Sequence, residues 1–249
     1  MGTVLITGAA KRLGRAIALD LAMNGWDLAL HFHASEPEAR ETALAARAMG
    51  RRAALVRADL ADEEDVGALV GRATAEVGYL TALVNNASVF EFDDWSSVTR
   101  ASWDRHMTVN LRAPFVLSQD FARQLPAAAK GAIVNMVDQR VLKATPQFLS
   151  YSVSKAALFW LTTTLAQALA PQIRVNAVAP GPTMINARQT ETHFRRQRDA
   201  TVLGSGAQPQ DVCDAVRYLL NAPAVTGQMI AVDGGQHLIW QTADVSAEE

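Results

Sequence analysis

Tyr151 and Lys155 stand four residues apart in Tyr151-Ser-Val-Ser-Lys155, where a long apolar segment opens, and Asp138 closes the apolar run that begins at Gly131. The order reads as strand, acid, loop, helix. On a helix, positions i and i+4 share a face, so the phenol and the ammonium lie side by side. A phenol at its ordinary pKa of about 10 is a poor acid at neutral pH. A neighbouring ammonium favours the ionised form and lowers that value, which makes the pair a candidate proton donor. Tyr-x-x-x-Lys also arises by chance on helices whose lysine merely snorkels, so the reading depends on the residues that accompany it.

Those companions are the turn Thr7-Gly8-Ala9-Ala10-Lys11-Arg12-Leu13-Gly14, then Asn85-Asn86-Ala87-Ser88, Asn110 and Pro180-Gly181. Glycines at a strand-to-helix turn let the backbone approach a pyrophosphate, and the helix behind them offers N–H groups and a positive dipole end. In this order the motifs resemble the short-chain dehydrogenase/reductase family, from Val4 to Gly235. The resemblance implies that Tyr151 donates the proton and that Lys155 tunes it and holds the nicotinamide ribose. Asn110 would position Lys155 through a backbone and water link. Gly8, Arg12, Leu13 and Gly14 would cradle the diphosphate. Asp59 and Leu60 would meet the adenine, Asn86, Ala87 and Ser88 would flank the cofactor, and Pro180-Gly181 would form the nicotinamide-side loop.

Within the family, Arg12 stands where many members carry a second glycine, and Ser88 ends the Asn-Asn-Ala motif in place of the usual glycine. Both traits resemble the pteridine reductase branch, as does the run His31-Phe32-His33-Ala34-Ser35. That run carries no acid at the strand end, where NAD-selective sheets hold the ribose 2′-hydroxyl with a carboxylate. NADP(H) is the cofactor this favours, with His33 and Ser35 as candidate phosphate contacts. Ala34, where those relatives often have arginine, and the nearby Glu36 cut against it. Phe90 offers an aromatic face to a flat heterocycle.

Asp138 bears on substrate class. Most family members carry serine there, whose hydroxyl donates to a substrate carbonyl, whereas an ionised aspartate only accepts. It opposes charge building on a carbonyl oxygen and suits a ring with N–H and NH2 groups. The expected reaction is NADPH-dependent reduction of a C=N bond in a dihydropterin or dihydrofolate. Asp138, Tyr151, Lys155 and Asn110 would serve the chemistry, and Ser88, Phe90, Asp138 and Tyr151 the substrate. Two alternatives stay open: a carbonyl reductase acting on a ketone, and an NADP(H)-binding protein without turnover.

Elements must hold these residues together. Apolar runs at Thr3 to Thr7, Asp27 to Phe32, Ala53 to Arg57, Ala82 to Asn85, Ala132 to Val137, Arg174 to Val178 and Met229 to Val232 alternate with longer helical stretches. That rhythm predicts an α/β fold: one doubly wound, Rossmann-like domain over residues 1–243, with a mostly parallel seven-stranded sheet and helices on both faces. Trp103 to Pro126 reads as one long helix carrying Asn110. Residues 183–206 are the least regular stretch and the expected substrate loop, and the acidic residues 244–249 read as a tail.

Composition narrows the partners. Of 249 residues, 49% are hydrophobic and 19% charged, a globular composition. Twenty-three basic against 25 acidic residues leave no field to gather nucleic acid or an anionic membrane, so a small molecule is the expected ligand. Cys213 is the only cysteine and the five histidines lack metal spacing, so no metal is expected. No basic start marks a signal peptide, and Ile6 stands where a myristoylation motif needs Ser or Thr, which suggests a cytoplasmic protein. Ala156 to Ile173 carries no charge. Its threonines, Gln167 and Pro171 suit burial better than lipid, partly against a second subunit, and the resemblance implies a dimer or tetramer.

Overall fold

The computed structural model describes residues 2–185 and 188–240. Short apolar runs bounded by polar or glycine breaks become strands: β1 (Thr3–Ile6), β2 (Asp27–Phe32), β3 (Ala53–Arg57), β4 (Ala82–Asn85), β5 (Gly131–Met136), β6 (Ile173–Pro180) and β7 (Met229–Val232). They pair in parallel as one sheet in the order β3-β2-β1-β4-β5-β6-β7. The arrangement is Rossmann-like. The sequence runs coincide with these strands to within a residue or two; the largest difference is β6, which starts a residue earlier and runs on to Pro180.

Side chains alternate across each strand, so one run feeds two cores. Val4 and Ile6 pack with Ile17 and Leu21 of α1 (Arg12–Met23), Ala43 of α2 (Glu36–Ala48) and Val216 of α8 (Pro209–Asn221). Leu5 faces the other way, toward Leu69 of α3 (Glu63–Val77), Phe121 of α5 (Ala113–Gln124) and Leu165 of α6 (Leu149–Ala168). Burial on both faces explains why the strands read as unbroken apolar runs. The chain leaves β1 for opposite halves of the sheet, and this switch opens a crevice beyond the C-terminal ends of β1 and β4. The two turns there are tied together, because the N–H groups of Asn86 and Ala87 each donate to Thr7 Oγ1 at 2.9 Å.

The stretch read as one helix from Trp103 to Pro126 is three pieces. It starts earlier, at Arg100, because Thr99 caps α4 (Arg100–Met107) in a reciprocal box with Ser102. A wide π turn occupies Thr108–Arg112, and α5 ends at Gln124. The Ala113 N–H donates five residues back to Thr108, and Pro114, which follows, has no N–H to give Asn110. Within the expected substrate loop, 183–206, the described residues include a helix that the sequence does not announce, α7 (Glu191–Asp199), which starts at a cap made by Thr190. The acidic residues 244–249 lie outside the described residues.

Candidate active site

Tyr151 lies in the first turn of α6 and Asp138 just beyond β5, so the strand and the helix that follows it bring them together. The Tyr151 hydroxyl donates to Asp138 Oδ2 at 2.9 Å. The Lys155 ammonium donates to the Met136 carbonyl at 2.8 Å and lies 5.8 Å from the centre of the Tyr151 ring. Both side chains are buried. Burial, and then the charge of Asp138, push the Tyr151 phenol well above its usual value. Burial draws Lys155 down to about 8. The phenol is therefore raised rather than lowered by its surroundings: the ammonium is turned to a backbone carbonyl, and the carboxylate that the phenol touches opposes its ionisation. Such a phenol keeps its proton until one is demanded.

Asp138 has a second partner that spacing alone does not reveal. Arg140 gives Asp138 Oδ1 its backbone N–H at 2.9 Å and reaches both carboxylate oxygens through one guanidinium nitrogen at 3.3 and 3.4 Å. The same guanidinium lies over Phe90 and Phe148, at 5.6 and 5.2 Å from the ring centres. Those rings are stacked at 4.4 Å, and Phe90 meets the Tyr151 ring edge-on at 4.6 Å. Phe148 reaches this stack from a left-handed backbone, φ 57°, at the N-cap of α6. Arg188, from the expected substrate loop, donates to the Phe90 carbonyl at 2.6 Å.

The π turn gives Asn110 its place. Asn110 exchanges two hydrogen bonds with the Val89 backbone, at 2.8 and 2.9 Å, and donates to Ser154 Oγ at 3.1 Å. Its side chain thus clamps the β4 exit to α6, and Ser88 Oγ donates to the same Asn110 oxygen at 3.2 Å. A buried relay reinforces the clamp. The Glu91 N–H donates to His106 Nε2, His106 Nδ1 pairs with Ser150 Oγ at 2.7 Å, and Ser150 gives its hydroxyl and its N–H to Asp93. Asp93 and His106 are spread along the chain like ordinary surface polar residues, which hid them from sequence reasoning.

The first turn suits a diphosphate. Gly8 is left-handed (φ 65°), and a Cβ on Gly14 would lie 2.1 Å from the Gly8 carbonyl, so α1 sits directly on the turn. No side chain caps α1 at Lys11. Arg12 is also left-handed (φ 52°), a conformation that glycine adopts more readily. Its guanidinium donates to the carbonyls of Ile185 and Met184, at 2.5 and 3.1 Å, rather than projecting over the turn. Leu13 packs against the core behind it. His31, unlike His33, faces inward. It accepts the Gly8 N–H at Nδ1 (3.0 Å), and its Nε2 meets the Ala58 carbonyl at 3.1 Å.

At the end of β2, His33 is exposed and 3.6 Å from Asp59, and Arg57 donates to its carbonyl at 3.4 Å. Ser35 stands at the N-cap of α2 without capping it. Glu36 is occupied by Arg40. Asp62, not Asp59, caps α3. Leu60 points into the core. Pro180 ends β6, and Gly181 passes so close to Asp233 that a Cβ would lie 2.5 Å away. These features lie along the C-terminal ends of the strands, with the acid, phenol, lysine and aromatic rings in one group and the glycine turn after β1 in another. No group of His, Cys, Asp and Glu among the described residues is arranged to hold a metal ion, and none of their helices is long and apolar enough to cross a membrane.

The sequence and fold are similar to those of known proteins. A family model described as enoyl-(acyl carrier protein) reductase matches residues 8–237. The crystal structure of FolM alternative dihydrofolate reductase 1 from Brucella canis, complexed with NADP, is 44% identical with a TM-score of 0.93, covering 99% of this chain and 98% of that one. A short-chain dehydrogenase/reductase of Armillaria gallica is 33% identical over 93% of this chain and 94% of its own length. The 3-oxoacyl-[acyl-carrier-protein] reductase FabG of Staphylococcus aureus is 30% identical over 95% and 98%.

Proposed function

The chain belongs to the short-chain dehydrogenase/reductase family, and from that premise we propose that it reduces a C=N bond of a dihydropterin or dihydrofolate with NADPH. The observation that carries the reading is the 2.9 Å hydrogen bond from the buried Tyr151 phenol to Asp138. An acceptor-only group stands where a carbonyl reductase needs a donor, and a ring bearing N–H groups suits such a carboxylate better than a ketone does. The likeness to a dihydrofolate reductase crystallised with NADP supports the same substrate class and cofactor.

Bound NADPH supplies the hydride; the residues of this chain supply everything else. The backbone of Gly8, Arg12 and Gly14 receives the diphosphate at the N-terminus of α1, while the Arg12 guanidinium stays turned to Met184 and Ile185. His33 and Ser35, with Arg57 beside them, meet the 2′-phosphate, which no acid at the end of β2 repels. Asn86, Ala87, Ser88 and the Pro180-Gly181 turn line the approach to the nicotinamide. Lys155, charged below about pH 8, holds the ribose and keeps a positive charge beneath the phenol. Phe90 presents a face to the substrate ring. Tyr151 releases its proton toward the ring nitrogen, and Asp138, bonded to it, holds the phenol in line and passes on a replacement from water.

The test is NADPH oxidation with dihydrobiopterin, dihydromonapterin and dihydrofolate, alongside a 3-oxoacyl thioester. Turnover of at least one pteridine is expected, falling by about two to four orders of magnitude in Asp138→Ala with NADPH affinity retained. Preference for the thioester, with Asp138→Ala fully active, would favour the second reading, a carbonyl reductase, to which the FabG relative points.

The chain also forms a homo-oligomer, a dimer or tetramer, in this reading. Trp160 and Val153 lie on α6 with 74% and 40% of their surface exposed, on a helix without charge beyond Lys155.

A further inference from the structure

Arg140 carries a donor with nothing to donate to. Its Nε is buried and finds no hydrogen-bond partner among the described residues. Buried donors in native proteins are nearly always satisfied, and an unsatisfied one is costly, so this atom calls for an acceptor that arrives from outside. The missing group is not an anion. Asp138, with its two oxygens 3.3 and 3.4 Å from the guanidinium, already neutralises the charge, and the side chains of both residues are largely buried. What Nε lacks is a neutral acceptor.

The surroundings narrow that acceptor. The guanidinium lies over the stacked pair Phe90 and Phe148, whose faces suit a flat ring, and it is anchored by its own backbone N–H to the carboxylate that meets the catalytic phenol. A fixed donor and a fixed acceptor therefore stand side by side at the site. Resting on the pteridine reading above, we propose that Arg140 determines specificity. Its Nε–H donates to a neutral ring carbonyl of the substrate, so that it selects a heterocycle with a lactam edge, as in a 2-amino-4-oxopteridine. A 2,4-diaminopteridine, which replaces that carbonyl by a donor, leaves Nε without its partner.

Folic acid and its 4-amino analogue differ at that edge and serve as probes on the NADP+-loaded enzyme, with dissociation constants read by calorimetry. Arg140→Met is expected to weaken folic acid roughly tenfold while the 4-amino analogue binds as before or more tightly, and NADP+ affinity stays at its wild-type value. Arg140→Lys keeps the charge beside Asp138 but has no Nε–H, and shows the same selective loss. Equal losses for both ligands, no loss, or full recovery in Arg140→Lys each overturn the proposal. If the wild-type complex binds neither pteridine, the pteridine reading itself fails and this inference falls with it. If it binds both and the variants do not separate them, only the role of Arg140 falls.

Discussion

Lys155 is buried and its ammonium donates to the Met136 carbonyl, and burial brings its pKa down to about 8. Above that pH the ammonium loses its charge. Tyr151 is pushed in the other direction, so the phenol is still protonated where Lys155 has already titrated. The expected profile of kcat/KM therefore falls on the alkaline side near pH 8, and Lys155 causes the fall. In Lys155→Arg, whose guanidinium stays charged to about pH 12 or beyond, the residual activity lacks that limb. A limb unchanged in the variant would assign it elsewhere. Lys155 and Tyr151 were legible because a four-residue helical spacing is local, and Asp138 because an acid at the end of an apolar run stands out. Arg140 and Phe148 were not. An arginine two residues after an acid looks like a solvated turn, and only the left-handed backbone at Phe148 brings its ring onto Phe90.

Between elements, the instructive residue is His31, which joins the ends of β2 and β3 to the turn after β1. Gly8 must donate to Nδ1 and the Ala58 carbonyl must accept from Nε2, so the imidazole is neutral with its proton on Nε2. Burial draws its pKa down to about 4, with smaller opposing contributions from the Ala58 bond and Asp59 and reinforcing ones from His33 and Arg72. Between about pH 4 and 6.5 the unfolded chain takes up a proton that the native imidazole refuses. Stability is therefore lost as pH falls through that window and regained as it rises, by about 3 kcal/mol at most. Urea unfolding across the window should show a shallower dependence in His31→Gln, together with weaker NADPH binding because the turn loses its acceptor. The wild-type slope retained in the variant would exclude His31 as its source. In the sequence His31 was half of a motif whose other half, His33, drew the functional reading. Alternation along a strand sends the two to opposite sides, but does not say which side is wet. The same limit applied to the helix around Asn110. Its apolar periodicity was visible, whereas the π turn depends on where Pro114 falls against the sheet.

Across the molecule, the seven parallel strands with helices on both faces were readable because every strand is covered on two faces and the motifs resembling the family run nearly end to end. What covers α6 was readable only as an absence of charge. Trp160, on its outer side, supplies the test: Trp160→Glu should reduce the mass measured by light scattering, with the far-ultraviolet spectrum unchanged, whereas an unaltered mass would place the contact on another face. The segment from 183 to 206 was the hardest to read, because its order comes from partners far away in sequence. Arg12, from the first turn of the chain, reaches across to the carbonyls of Met184 and Ile185. One side chain thus ties the turn after β1 to the segment that leads into α7. Whatever moves that guanidinium therefore loosens the hold of each segment on the other, with no relay through packed strands between them.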